Sequence, residues 1–400
     1  MILSNLRTLD DRKVSIAIED GKMHFTDRAG EDMGGRLVLP AFVDSHAHID
    51  SNFLLDVCEE AETEKFEEAL KELLECKEKL TEDQIYSLAR KSIHYYAKHG
   101  SLFVRTHVMI DGKKWRERVR SVVRLREEFK GIVNLQVIGF IQSYDYYDKE
   151  QEEKVYKVVE MGLDGIGGQP HLQPSVEDGK RMIKSLFDVA TERGLFLDFH
   201  ADYADEPDSK FSELIVSEAL SRKYRKVALS HLTALHSYYD DYARRFMRWL
   251  AEAGVSVIVS PITVLEESGA HENYPKRRGI ARVRDLLSYG VNVALGHDDI
   301  QNHLNPLGVG DLMQSAFALV IGEYMYFKKY VNAIFDMMTY NGAKLQGIED
   351  YGLGEGRLAS LVVLEARDPR EAIRSISPRR LVVSNGKVVY SRRETEEMFM

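Results

Sequence analysis

The stretch LVLPAFVDSHAHID (residues 37–50) decides how the rest of the chain is interpreted. Its apolar run predicts a short buried strand that ends at two histidines. Side chains of residues i and i+2 share one face of a strand, so His46 and His48 are expected to point to the same side. Two neutral imidazoles in this arrangement supply half of a metal site. Short histidine pairs also occur in cores and on surfaces, so the remaining ligands must come from elsewhere in the chain.

Composition restricts the class of protein. The chain has 400 residues, of which 44% are hydrophobic and 30% charged, and its net charge is -10. A surface for nucleic acid needs clustered Lys and Arg, so we expect no nucleic-acid partner and instead a small-molecule substrate. An apolar run of about 18 residues is missing, so no membrane span is expected. The N-terminus lacks the pattern of a secretion signal. We therefore expect a cytoplasmic protein, and a homo-oligomer.

The two cysteines, Cys58 and Cys76, lie beside or within an acidic, lysine-rich stretch that is predicted to be helical. Nothing in their context indicates a disulfide framework or a thiolate metal site. Any metal must then be held by histidine and carboxylate. The charges of residues 59–80 are interpreted as the solvated face of a helix.

Strand and turn patterns recur at the two ends of the chain. The Asp20-Gly21 and Asn385-Gly386 pairs each follow a short apolar strand and predict tight hairpins. No helix fits between these strands. We therefore predict one small β-sandwich domain built from residues 1–38 and 350–400, with the main domain at residues 39–349.

The middle of the chain alternates between strands and helices. Several of the amphipathic segments end at a glycine, and Thr81 with Gln84 predicts a capping box. Eight such strands over about 250 residues indicate an α/β protein with a (β/α)8 TIM barrel. The predicted strands are Phe42 to His48, Ser101 to Val108, Ile132 to Gln142, Leu163 to Gly168, Leu195 to His200, Lys226 to His231, Val255 to Ser260 and Val291 to His297.

Polar residues close these strands, and active groups of such barrels gather at the carboxyl ends of strands. His200 ends the fifth strand and completes a set of three imidazoles with His46 and His48. Asp298 follows the eighth strand, which neighbours the first in a closed barrel. Three imidazoles and a carboxylate suit Zn(II) or Fe(II) and leave a position for water, whose proton Asp298 could accept. His231 is a candidate acid or carbonyl-polarising group.

Several of these motifs resemble the amidohydrolase superfamily, and specifically its cytosine deaminase-like branch. The resemblance implies one divalent metal, iron or zinc, on His46, His48, His200 and Asp298. It further implies that Gln142 reads the amide edge of the substrate, that His231 lies near the attacked carbon, and that Asp299 is a pocket carboxylate. The motifs that carry it are PAFVDSHAH (40–48), RTHV (105–108), SHLTALHSY (230–238), YPKRRGI (274–280), GHDD (296–299) and PLG (306–308).

Two positions depart from the branch. Tyr203 stands where cytosine deaminases have a proton-shuttling glutamate, and Leu304 stands where they have a pocket tryptophan. A tyrosine of ordinary pKa donates hydrogen bonds well but relays protons poorly at neutral pH. The resemblance to this branch also includes N-substituted aminotriazine hydrolases, which lack the glutamate and use other groups to protonate the leaving amine. The candidates are Asp202, Tyr203, Asp205 and Glu206.

The sequence thus predicts a metal-dependent hydrolase that deaminates a small nitrogen heterocycle, with a substrate other than cytosine. The alternatives are an aminotriazine-type or cyclic amide hydrolase and a degenerate barrel that only binds a ligand. A ring-opening cyclic amidase is disfavoured, because such relatives carry a modified lysine on strand four and Leu163 to Gly168 contains no lysine.

Overall fold

The computed structural model describes residues 1–60, 63, 65–142, 149–270 and 272–393. Its strands are β1 (Ile2–Arg7), β2 (Lys13–Glu19), β3 (Lys22–Phe25), β4 (Glu31–Pro40), β5 (Phe42–Ala47), β6 (Ser101–Met109), β7 (Asn134–Ile141), β8 (Gly165–Gly168), β9 (Phe196–Ala201), β10 (Val227–His231), β11 (Ser256–Val259), β12 (Val293–Leu295), β13 (Leu361–Leu364), β14 (Arg379–Ser384) and β15 (Lys387–Ser391).

The α-helices are α1 (Phe66–Lys79), α2 (Glu82–His99), α3 (Trp115–Glu128), α4 (Lys149–Val159), α5 (Val176–Arg193), α6 (Phe211–Arg222), α7 (Asp240–Ala253), α8 (Pro261–Glu267), α9 (Val283–Ser288), α10 (Leu312–Gly322), α11 (Lys328–Met337), α12 (Tyr340–Gln346) and α13 (Pro369–Arg374). Short 3-10 helices lie at Leu54–Asp56, Pro170–Leu172 and Thr233–Ser237. Among the described residues, no helix has both the length and the apolar content needed to cross a bilayer.

Strands β5 to β12 pair in chain order and form the predicted parallel barrel. A parallel bridge between Ala47 and Asp298 brings the end of the last strand beside the first. The backbone N–H of Asp298 donates to the carbonyl oxygen of His46 at 2.9 Å. Each predicted barrel strand overlaps an observed one, so the fold prediction is confirmed. The closing bridge lies at the carboxyl ends of the strands, where the predicted site residues are found.

Two glycines allow the strands to approach closely near the site. A Cβ atom on Gly167 would lie 1.7 Å from the backbone oxygen of Asp198, so β8 can approach β9 only without a side chain there. A Cβ atom on Gly296 would lie 2.5 Å from the Cβ atom of His46. Any larger residue at either position would push apart the strands that carry the histidines.

The chain ends form the predicted second domain. The seven strands follow the order β15-β14-β13-β4-β1-β2-β3. Strand β4 pairs with β1 through residues 31–37 and with β13 through residues 38–40, so it joins the N-terminal strands to the C-terminal ones. Leu3, Val38, Leu361 and Val383 are buried in one shared cluster. The small β-sandwich domain is confirmed. Its boundaries stay a prediction, and residues 394–400 of the C-terminal segment lie outside the described residues.

The predicted start of one helix is confirmed. Helix α2 begins with the expected capping box of Thr81 and Gln84 and ends at Gly100 in the left-handed conformation. Helices α11 and α12 are separated at Thr339, whose φ of -133° and ψ of -95° are not helical. Helix α8 follows directly after β11 and was not predicted, because seven residues are too few for a clear helical period.

The prediction for the cysteines was wrong, because Cys58 and Cys76 form a disulfide across a sequence separation of 18 residues. Helix α1 folds back over the chain that follows His48, which places Cys76 beside the end of the 3-10 helix Leu54–Asp56. The composition around each cysteine does not show that α1 folds back and brings Cys76 next to Cys58. Disulfides are uncommon in cytosolic proteins, and the cytoplasmic location stays a prediction.

Candidate metal centre and active site

Four predicted ligands converge at the carboxyl ends of the barrel strands. The Nε2 atom of His48 lies 3.2 Å from that of His46 and 3.3 Å from that of His200. The Oδ1 atom of Asp298 lies 3.6 Å from the Nε2 atoms of both His46 and His48. All four side chains are buried. The structure therefore brings together residues that are up to 252 positions apart in the chain.

The spacing and charge state of these groups fit a bound cation. Zinc–nitrogen bonds are about 2.0–2.1 Å long, so nitrogens at a tetrahedral angle stand about 3.3–3.4 Å apart. Burial, reinforced by neighbouring imidazoles, lowers the pKa of His46, His48 and His200 well below the usual range. The rings are then neutral, and a neutral imidazole offers one unprotonated nitrogen to a metal. A divalent cation would satisfy the three lone pairs and the carboxylate together.

A hydrogen-bond chain orients His46 from behind. The Oγ–H of Ser230 donates to Oδ1 of Asp198 at 2.7 Å, so the Oγ atom accepts from Nδ1–H of His46 at 2.9 Å. The Nη1 atom of Arg105 donates to the other oxygen of Asp198 at 2.8 Å. Burial opposes ionisation of Asp198, but His107 and Arg105 lower its pKa to about 2. This chain fixes the tautomer that leaves Nε2 of His46 for a metal.

Other buried groups near the centre are less suitable for a cation. His46, His107 and Asp198 also converge, as do His46, His231 and Asp298. Asp198, however, is already paired with the guanidinium of Arg105 at 2.8 Å, and a second cation beside it would meet like-charge repulsion. Among the described residues, the set with Asp198 is therefore less suitable for a cation than the sets formed with His48 and His200 or with Asp298.

His231 ends β10 at the edge of this centre. Its Nε2 atom lies 3.9 Å from Oδ2 of Asp298, and its φ is 68°. A positive φ is unusual for a residue with a side chain and is found mostly where the surrounding structure enforces it, often at functional sites. Burial and the neighbouring His107 lower the pKa of His231 to about 3. The neutral ring can donate or accept one hydrogen bond beside Asp298.

Tyr203 contacts the centre through His231 and an unpredicted carboxylate. Its ring stacks on that of His231 with centroids 4.1 Å apart and planes at 18°. Its hydroxyl donates a hydrogen bond to Oε2 of Glu267, the last residue of α8. Glu267, Asn302 and Leu304 line a cavity of about 300 Å³, which also contacts α1. Sequence reasoning missed Glu267 because it missed α8. A strand-end Ser260-Pro261 pair, with Pro at the first helical position, was the available signal.

The other proton-donor candidates are occupied elsewhere. The carboxylate of Asp202 accepts from the backbone N–H groups of Phe211 and Ser212 at 2.8 and 3.0 Å, at the start of α6. Asp205 accepts from the backbone N–H of Gly269 at 2.8 Å. Glu206 is exposed. Of the four candidates, only Tyr203 contacts a group of the centre in the described structure.

Gln142 and Asp299 are buried on the same side of the barrel. Their Oε1 and Oδ1 atoms have no hydrogen-bond partner among the residues described. Burial, opposed by the charge of Lys77, raises the pKa of Asp299 to about 7. Buried acceptors without partners are rare, and they are typical of sites that receive a ligand.

Lys77 contradicts the interpretation of α1 as a helix whose charges are all solvated. Its side chain is fully buried, and its Nζ atom lies 3.0 Å from Oδ2 of Asp50 and 2.6 Å from Oγ of Ser51. Both partners directly follow the histidine pair. The sequence period correctly predicts that Lys77 lies on a helix. It does not show that the face of α1 that carries Lys77 packs over the barrel mouth.

Known proteins are similar to this chain over most of its length. A model described as the amidohydrolase family matches residues 37–389. The N-isopropylammelide isopropyl amidohydrolase of Pseudomonas sp. (strain ADP) is 27% identical over 393 residues, covering 95% of this chain and 91% of that protein. The pterin deaminase of Rhizobium rhizogenes (strain K84 / ATCC BAA-868) is 22% identical over 389 residues, covering 94% and 88%.

One solved structure shows the same architecture over the whole length. The 5-methylcytosine deaminase from Klebsiella pneumoniae, liganded with 5-fluorocytosine, has a TM-score of 0.94 and 27% sequence identity. The match covers 100% of this chain and 99% of that one. The similarity therefore includes the small β-sandwich domain as well as the barrel.

Proposed function

Because the chain belongs to the amidohydrolase family, we propose that it hydrolyses an exocyclic C–N bond of a small nitrogen heterocycle with one divalent zinc or iron ion. The relatives named as deaminases and amidohydrolases support a hydrolase acting on C–N bonds. The observation that carries the proposal is the convergence of three neutral imidazoles and one carboxylate at the barrel mouth. The substrate differs from cytosine in this proposal, because Tyr203 and Leu304 replace two residues of the cytosine deaminase pattern.

In this proposal His46, His48, His200 and Asp298 hold the metal. When bound, the cation lowers the pKa of water towards neutrality and so supplies a nucleophile. Asp298 would accept a proton from the attacking water through Oδ2, the oxygen that faces Nε2 of His231 at 3.9 Å. Neutral His231 hydrogen-bonds the oxygen that adds to the substrate carbon.

Gln142 and Asp299 are proposed to read the ring. Each presents a buried oxygen that has no hydrogen-bond partner among the described residues. Such an oxygen can accept a hydrogen bond from an N–H group of an amidine or amide. Leu304 lines the adjoining cavity and leaves space that a tryptophan would fill. That space favours a second candidate substrate class, N-alkylated aminotriazines, whose leaving amine is larger than ammonia.

Homo-oligomeric assembly stays a prediction.

A screen for amine release tests the proposal. Protein loaded with zinc or with ferrous iron is incubated with aminopyrimidines, pterins and N-alkylaminotriazines, and ammonia and alkylamine are quantified. Chelator-treated protein and the His200→Ala variant are the controls. We expect release from at least one class by the loaded protein and none by either control. Release from no compound would contradict the proposal and favour a barrel that only binds a ligand.

A further inference from the structure

Helix α8 brings a carboxylate to the place where the fifth strand supplies a tyrosine. Oε2 of Glu267 accepts the hydroxyl proton of Tyr203, whose ring lies against His231. The other oxygen, Oε1, is buried and has no hydrogen-bond partner in the described part of the chain. Glu267 also lines the cavity of about 300 Å³ together with Leu304. One end of this carboxylate is therefore fixed by a tyrosine, and the other is available to a ligand.

Hydrolysis of an amidine C–N bond needs two proton carriers. One takes a proton from water and later gives it to the leaving amine, and Asp298 is proposed for that role. The other must protonate the ring nitrogen as water adds, because the electron pair of the C=N bond moves there. The carboxylates of Asp202 and Asp205 are bound to backbone N–H groups. Tyr203 already gives its single hydroxyl proton to Glu267.

We propose that Glu267 is the second proton carrier of this active site and that Tyr203 is the positioning residue that holds it. This inference rests on the proposed function and names a residue for it. Glu267 is supplied by α8, which follows β11, and not by the chain that follows β9. Burial, the largest cause, raises the pKa of Glu267 above its usual value.

The protons balance over one cycle. As water adds, a C–O bond forms, water gives one proton to Asp298, and protonated Glu267 gives its proton to the ring nitrogen through Oε1. The adduct then collapses as the exocyclic C–N bond breaks. Asp298 returns its proton to the departing amine, and the hydroxyl of the adduct gives its proton to Glu267. The products are the oxo heterocycle and the amine, and both carboxyl groups return to their initial states.

Substitution at both residues tests the inference on a compound that the wild-type protein turns over. Glu267→Gln keeps the shape of the side chain and removes proton transfer, so kcat should fall by about 10²–10³-fold. KM should change by less than about threefold, and metal per chain should match the wild type. Tyr203→Phe should lower kcat less. It should also move the alkaline limb of the kcat–pH profile to higher pH, because loss of a donor to the carboxylate raises the pKa of Glu267.

A matched control comes from another tyrosine–glutamate pair. Tyr242 donates to Oε2 of Glu213 at 2.5 Å on the outer helices α6 and α7. Glu213→Gln should leave kcat and its pH profile unchanged. Formate added to Glu267→Ala should restore part of the activity, since the truncated side chain leaves room beside the cavity.

The outcomes separate the two proposals. If wild-type protein releases no amine from any compound, the proposed function fails and this inference fails with it. If wild-type protein is active and Glu267→Gln keeps kcat within threefold, only the inference is overturned. Loss of metal in Glu267→Gln in parallel with activity would also overturn it, because Glu267 would then stabilise the centre rather than move protons.

Discussion

Replacement of Lys77 by methionine should destabilise the protein strongly. The ammonium group is fully buried with Asp50 at 3.0 Å, and Asp50 is itself inaccessible to solvent. Removing one partner of a buried ion pair costs about 3–5 kcal/mol, because the other charge is left without compensation. Asp50 keeps the backbone N–H of Met109 at 3.2 Å and the guanidinium of Arg118 at 4.0 Å. We therefore expect a loss near the lower limit, about 3 kcal/mol.

Urea unfolding followed by circular dichroism measures this change. The matched control is Lys180→Met, because Lys180 pairs with Glu177 at 2.7 Å while both side chains are largely exposed. Exposed pairs contribute about 0.2–1 kcal/mol, so the control should remain close to the wild type. Adding Asp50→Asn to Lys77→Met should recover part of the stability, since the unpaired charge is removed. A loss below about 1 kcal/mol in Lys77→Met would refute the view that this lysine holds α1 over the barrel mouth.

Three further changes follow from the structure. Ser230→Ala removes the oxygen that orients His46, and metal affinity measured by chelator competition should fall about 10–100-fold; an unchanged affinity would exclude this role. Cys58→Ser opens the disulfide loop and should lower the free energy of unfolding by about 3 kcal/mol, whereas thiol reductant should lower only the wild type; equal stability of oxidised wild type and variant would contradict this. Gly167→Ala should cost more than about 4 kcal/mol by urea unfolding, because a Cβ there would overlap Asp198; a near-native value would show that β8 and β9 can separate.

The cluster of His46, His48, His200 and Asp298 could be predicted because its signals are local. His46, His48, His200 and Asp298 each close a short buried strand, and parallel barrel strands present all their carboxyl ends at one face. The order of the barrel strands is therefore enough to predict that these side chains lie close together, and side-chain packing need not be known.

Glu267 and Lys77 lack such a local signal. Glu267 lies on a helix of seven residues, and Lys77 is one of many charges on α1. Their positions depend on how α8 and α1 pack over the barrel mouth, as does the bond between Cys58 and Cys76. Contacts of this kind join segments that are distant in the chain, and neither period nor composition records them.

The dependence of amine release on bound metal tests the central claim most directly. Metal-free protein is titrated with zinc or ferrous iron, and the rate on a compound identified in the screen is plotted against metal equivalents per chain. We predict no release by the metal-free protein and a linear rise that ends at one equivalent. Release by the metal-free protein, or a rise that continues to two equivalents, would contradict a single cation held by His46, His48, His200 and Asp298.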